Sequence, residues 1–245
     1  MTHSQTTKSE KMIKVFTSLS GGVDSTTTLA IAASEFPDAL LECVTFDYGQ
    51  RHKKEAEYAY FQSKQFGAAP ALINISGVLT GMLVDKGDNN EAIPNVDYAD
   101  LPHGISPTYV SFRNGTMLSL LAARAQAWVM DMEKAGASAE AVIYCGVHAD
   151  DGVNWAYPDC TPEFIGPMSA AIYVGTYHKV TLRAPLLYMT KAAVVREGLR
   201  LGVNYVNTWS CYKGEDVHCG TCPTCRSRKQ AFIDNGVTDP TEYAA

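Results

Sequence analysis

Residues 12–36 read MIKVFTSLSGGVDSTTTLAIAASEF. The first part, MIKVFTSLS, is an apolar run rich in β-branched residues and reads as a strand. GGVDS follows, and TTTLAIAASEF then reads as a helix, so a strand, a glycine loop and a helix open the chain. A loop in that position presents free backbone N–H groups at the positive end of a helix dipole, which makes it an anion site. Gly21 and Gly22 permit close backbone approach and positive φ, and the Ser20 and Ser25 hydroxyls add donors. The loop is not a Walker A motif, because no Gly-Lys-Ser/Thr follows. It is not a dinucleotide fingerprint either, because G-x-G-x-x-G is absent.

The pattern repeats outward from this unit. ALLECVTF (39–46) reads as a second strand ending in DYGQ, KKEAEYAYFQSKQFG (53–67) as a helix closed by Gly, and ALINIS (71–76) as a third strand. After an excursion from Gly77 to Pro107, the alternation resumes with a helix (115–130), a strand (141–147) and a loop rich in Asp and aromatics (148–159). A helix (162–173), a strand (180–186) and a helix (191–202) follow, and the last helix is expected over 226–236. Alternating strands and helices predict a doubly wound α/β fold: a parallel sheet with helices on both faces. The expected organisation is a disordered tail over 1–11, one domain over 12–208, and a small metal-binding segment over 209–245. The Gly77–Pro107 excursion is a candidate lid.

The 245 residues are 46% hydrophobic and 19% charged, which excludes global disorder. A net charge of −6 argues against a broad phosphate-binding face, so no direct contact with nucleic acid is expected. Arg124 interrupts the longest apolar run (117–130), and the polar start lacks the apolar stretch of a signal peptide; a soluble cytoplasmic protein is expected.

Cys43, Cys145 and Cys160 are scattered and read as small buried hydrophobes. The other four of the seven cysteines, Cys211, Cys219, Cys222 and Cys225, follow C-x7-C-x2-C-x2-C, with Gly220 and Pro223 providing tight turns. An odd count without a secretion signal argues against a disulfide framework. Four thiolates around tetrahedral Zn²⁺ is the direct reading, and an iron–sulfur cluster is the rival. His218 is a weaker candidate ligand. Four protein ligands leave the metal no open position, so its role is structural.

Ser20, Gly21, Gly22, Val23, Asp24 and Ser25 resemble the S-G-G-x-D-S pyrophosphate loop of ATP pyrophosphatases. Those enzymes cleave ATP between the α and β phosphates and adenylate a substrate oxygen, which a nucleophile then displaces. VTFDYGQRH (44–52), Arg113-Asn114, YPDC (157–160) and APL followed by TK (184–191) resemble the 7-cyano-7-deazaguanine synthases, a likeness that runs from about Ile13 to Phe232. The resemblance implies conversion of 7-carboxy-7-deazaguanine to the nitrile with ATP, Mg²⁺ and ammonia, through adenylate and amide intermediates, by a homodimer. It implies that the loop holds ATP phosphates, that Asp24 orients the loop or helps hold Mg²⁺, and that Lys191 and Arg113 neutralise phosphate charge. Tyr48, Gln50 and Arg51, just past the second strand, join Tyr157 and Asp159 as candidates for the deazaguanine pocket. Asp150 and Asp151 read as strand-ending or capping residues.

Two segments depart from that family's pattern: TYVSFRN, with Ser111 and Phe112, and VHADDGVNWAYPDC, with Trp155. They leave room for an enzyme that stops at the amide or uses another deazapurine acid or acceptor. A tRNA-sulfurating relative would need a basic RNA face and a reactive cysteine pair. A non-catalytic zinc module would need neither the glycine loop nor Lys191.

Overall fold

The computed structural model describes residues 11–50, 54–81, 83–84, 93–97, 100, 104–213 and 216–244. The tail over 1–10 and Arg51 therefore lie outside the described residues. Five strands, β1 (Met12–Ser18), β2 (Leu40–Asp47), β3 (Ala69–Asn74), β4 (Ala139–Tyr144) and β5 (Val180–Arg183), form one sheet in the order β3-β2-β1-β4-β5. Every pairing is parallel. The helices are α1 (Val23–Glu35), α2 (Lys54–Gln65), α3 (Arg113–Lys134), α4 (Pro162–Gly175), α5 (Lys191–Arg200) and α6 (Pro223–Asp234).

The side-chain alternation of the strands sorts the helices. Val15, Val142 and Tyr144 point to the face covered by α1, α5 and α6, where they meet Ala30, Val194 and Phe232. Phe16, Val44 and Ile143 point to the opposite face and pack on Leu118, Leu121 and Ala125 of α3. Both faces are thus buried, as a parallel sheet requires. On the second face Glu42 is 6% exposed. Burial would raise its carboxyl, but Lys14 and Arg124 outweigh that and hold it below the ordinary value.

Three threonines in a row disfavour a helix, yet Thr26, Thr27 and Thr28 are fully buried in α1. Their hydroxyls explain two of them: Thr27 Oγ1 donates to Val23 O (2.9 Å) and meets Tyr205 Oη (2.7 Å), while Thr28 Oγ1 donates to Asp24 O (2.8 Å). Helix α3 begins at Arg113, two residues before the expected start, because the Asn114 N–H finds an acceptor in Asp159 Oδ2 at 2.9 Å. Strand β5 stops at Arg183 rather than running to Leu186: Pro185 has no N–H to give, and the chain turns with Leu187 N donating to Ala184 O. Helix α6 starts three residues earlier than expected, with Pro223 at its first position, so Cys225 lies inside it.

Of the 77–107 excursion, residues 82, 85–92, 98–99 and 101–103 lie outside the described residues, and the lid expectation falls in part on them. Leu79, Leu83, Val84 and Ile93 are buried in the core beside α3. Among the described residues no helix is long and apolar enough to cross a membrane.

Candidate active site

The strand order reverses between β1 and β4, and ligands of open α/β sheets bind at such a switch point, beyond the carboxyl ends of the strands. A cavity opens there, lined by the loop residues Ser20, Gly22, Val23, Asp24 and Ser25, by Gly146 after β4, and by Lys191 at the start of α5. Gly21 carries φ +80°, and a Cβ there would stand 2.6 Å from Ala59 N and 2.8 Å from Glu55 O. Only glycine lets the loop lie against the backbone of α2. Ser25 Oγ accepts from Ser20 N at 3.2 Å and lies 3.1 Å from Ser20 Oγ, which ties the two ends of the loop together. Gly21 O accepts from Trp209 N at 2.9 Å, so the C-terminal segment holds the loop from outside.

Lys191 is 9% exposed and its Nζ donates to both oxygens of Asp24, at 2.7 and 2.6 Å. Burial would push the Asp24 carboxyl up, but Lys191 and His148 outweigh it and hold the group below its ordinary value. Two carboxylates position this lysine. Asp150 Oδ2 accepts from the Lys191 backbone N–H at 2.7 Å, which makes it a cap for α5, and Thr190 Oγ1 accepts from Ala193 N. Buried His148 lies between the charges: its Nε2 is 3.3 Å from Asp151 Oδ1 and 3.4 Å from Lys191 Nζ. Asp151 lines the cavity, and burial keeps its carboxyl above the ordinary range.

On the α3 side, Arg113 lines the cavity and its Nη1 donates to Tyr48 Oη at 3.4 Å, with the guanidinium 5.9 Å from the ring centroid. Tyr157 also lines the cavity, and its hydroxyl is hydrogen-bonded to Thr108 Oγ1. Gln50 reaches the cavity wall, but its amide is spent on the turn after β2: Oε1 accepts from Tyr48 N and Nε2 donates to Phe46 O. Asp159 is not among the cavity-lining residues. It is 4% exposed, accepts from Asn114 N, and fixes the start of the helix that carries Arg113. Glu55, on the first turn of α2, does line the cavity, and burial lifts its carboxyl to about 7 against the pull of Arg113. Glu55 and His148 had no expected role, and Asp151 was expected only to end a strand or cap the next segment. Only the i+3 spacing of His148 and Asp151 carried a local signal.

Cys145 and Cys160 face the same cavity, but burial raises the Cys145 thiol to about 12 and the Cys160 thiol well above its ordinary value. Protonated thiols are poor nucleophiles, which disfavours sulfur transfer. The four C-terminal cysteines are buried, and their sulfurs all lie within 4.8 Å of one another. Backbone N–H groups of Lys213 and Cys219 donate to Cys211 Sγ, and that of Cys222 to Cys219 Sγ. Such donors favour thiolates, so the group can hold a metal ion. His218 stays outside it: Nε2 accepts from Ser210 N at 3.0 Å, and the ring sits 4.2 Å from that of Trp209.

The sequence model of the family described as "Queuosine biosynthesis protein QueC" matches residues 14–236. The chain is 35% identical to the 7-cyano-7-deazaguanine synthase of Marinomonas sp. (strain MWYL1), over 97% of this chain and 100% of that one. It is 40% identical to the 7-cyano-7-deazaguanine synthase of Agrobacterium fabrum, covering 94% and 92% of the two chains. For that of Thermoplasma acidophilum the identity is 37%, with 92% and 90% covered. With a switch-point cavity, a buried lysine facing the glycine loop and these relatives in agreement, the chain belongs to the QueC family of queuosine biosynthesis proteins.

Proposed function

We propose that the protein is a 7-cyano-7-deazaguanine synthase, a ligase that joins 7-carboxy-7-deazaguanine and ammonia at the expense of ATP. The observation that carries this reading is the convergence on one cavity of the glycine loop, Lys191 and Arg113, from three separate elements. Backbone donors of residues 20–25 receive the pyrophosphate as its charge develops, which stabilises the transition state of adenylyl transfer by preorganised dipoles. Lys191 turns from Asp24 to the phosphates, and Arg113 neutralises charge from the α3 side. Asp24 and Asp151, both at the cavity wall, are the carboxylates fitted to hold a Mg²⁺ ion, which would offset phosphate charge. Tyr48, Tyr157 and Gln50 bound the side where a deazaguanine would lie. Asp159 serves by holding Arg113 and Asn114 in place.

The acid is adenylated first, ammonia displaces AMP to give the amide, and a second adenylation followed by loss of AMP gives the nitrile. The four cysteines fit Zn²⁺: tetrahedral thiolates at about 2.3 Å from the ion lie roughly 3.8 Å apart, within the spread seen here. The ion would pin the C-terminal segment and take no part in the chemistry. A homodimer is the proposed assembly, and sedimentation of the purified protein tests it.

The decisive experiment is mass spectrometry of the products formed from ATP, Mg²⁺, ammonium and 7-carboxy-7-deazaguanine. The nitrile with AMP and pyrophosphate is the expected result. An amide that is never dehydrated would restrict the enzyme to the first half-reaction, with Phe112 and Trp155 the first residues to exchange. No turnover of this acid would refute the assignment.

A further inference from the structure

The reaction proposed above removes every proton from the ammonia nitrogen: one when the amide forms and two when the amide becomes a nitrile. A nitrogen that loses protons in each step calls for a base inside the cavity, and neither the glycine loop nor Lys191 and Arg113 can accept one. We propose that Glu55 is that base, taking a proton from the attacking ammonia as the C–N bond forms. The proposal rests on the synthase reading and adds a catalytic group to it.

Geometry singles out Glu55 among the acids of the cavity. Asp24 and Asp151 are the carboxylates fitted to hold Mg²⁺, with Asp151 beside His148, and Asp159 lies outside the cavity lining, turned to Asn114. Glu55 lines the cavity wall from the first turn of α2, whose backbone lies against Gly21, and no hydrogen bond engages its carboxylate among the described residues. The charged and titratable groups facing it are Arg113 on α3 and Tyr48 at the end of β2. Arg113 keeps a carboxylate available near neutral pH, while burial makes it more basic than an ordinary glutamate, to about 7. A general base is most effective when its pKa lies near the working pH.

Ammonia forms a bond to the carboxyl carbon of the acyl adenylate, and one N–H proton passes to the Glu55 carboxylate. The C–O bond to AMP breaks, and its electron pair leaves on the phosphate oxygen. The products are the amide, AMP and neutral Glu55, which returns its proton to solvent. In the second half, adenylation of the amide oxygen releases pyrophosphate and one N–H proton, and loss of AMP releases the other as the C≡N bond forms.

The test separates adenylation from ammonia transfer. Acid-dependent ATP–pyrophosphate exchange needs no ammonia, so Glu55→Gln should retain it within about threefold of wild type. Amide formation should fall about 100-fold or more, the scale of a lost general base. With the concentration of free ammonia held constant, wild-type kcat should rise through a pH near 7. Glu55→Gln should lose that limb, and Glu55→Asp should keep it at a reduced rate. Amide formation by Glu55→Gln at the wild-type rate, or a parallel loss of exchange in both variants, overturns the assignment. Absence of acid-dependent exchange in the wild-type protein refutes the synthase reading itself, and this proposal with it.

Discussion

Gly21→Ala probes the contact between the glycine loop and α2, and the structure supplies its control. Gly21 and Gly136 have nearly the same φ, +80° and +83°, but a Cβ at Gly136 meets nothing within 4 Å. Gly136 follows α3, at the end of the sheet away from the cavity. Gly136→Ala therefore carries only the left-handed backbone penalty, about 1 kcal/mol, or a fall in Tm of roughly 2–4 °C for a chain of this size. Gly21→Ala carries the same penalty and places a methyl group 2.6 and 2.8 Å from backbone atoms that cannot rotate away. Overpacking of that kind adds about 1–3 kcal/mol, for a total near 3 kcal/mol and a fall of roughly 6–12 °C. To reach ordinary contact, the loop and α2 must part by roughly 0.7 Å. Displacement on that scale costs about 10- to 100-fold in rate. Thermal unfolding and ATP–pyrophosphate exchange measure the two effects. If Gly21→Ala and Gly136→Ala match in both, the close approach of loop to helix has no energetic meaning and the reasoning fails.

Lys191→Met should lower exchange by at least about 100-fold and destabilise the fold by removing the ammonium that donates to both oxygens of Asp24. The folded Asp24 pKa is depressed, so the pair stabilises above pH 3.8 and its contribution is lost as pH falls through the folded value; the Tm gap from wild type should close in acid. Glu55 has the opposite sign: its folded pKa is raised from 4.5 to about 7, so wild-type stability is eroded as pH rises through that window. Glu55→Gln should show a Tm advantage that opens between pH 4.5 and 7 and stays constant above, which fluorimetry across pH will show. Arg228 is 0% exposed and paired with Asp239. Arg228→Met should cost about 3–5 kcal/mol, and adding Asp239→Leu should recover part of it, as urea melts will read. Metal analysis should find about one zinc per chain, and stripping it should lower Tm by more than about 10 °C; an iron-bearing, coloured protein would refute the zinc reading.

The parts legible in the sequence were those written locally. The strand–loop–helix opening needs only residues 12–36, and the cysteine spacing needs only 211–225, so both could be read without the fold. The parts that escaped were set by partners distant in sequence. The hydrogen bond by which Asp159 fixes Asn114 spans 45 positions and has no local signal. Glu55 sits in a stretch that the sequence marks only as helix; the packing of α2 against Gly21 brings it to the cavity. The left-handed backbone of Phe112, at φ 48°, has no sequence signal, since a bulky residue is the last expected there. Lys191 was placed by its motif, but its burial and its grip on Asp24 depend on His148 and Asp150 from another loop.

The bond from Trp209 N to Gly21 O also sets an order in time. A ribosome exposes the glycine loop early and its outer brace late. At roughly 5–20 residues per second, the roughly 190 residues between them take about 10–40 s to make. During that interval the nascent chain carries Gly21 without the segment that holds it, so the glycine loop is braced only once residue 209 has been made.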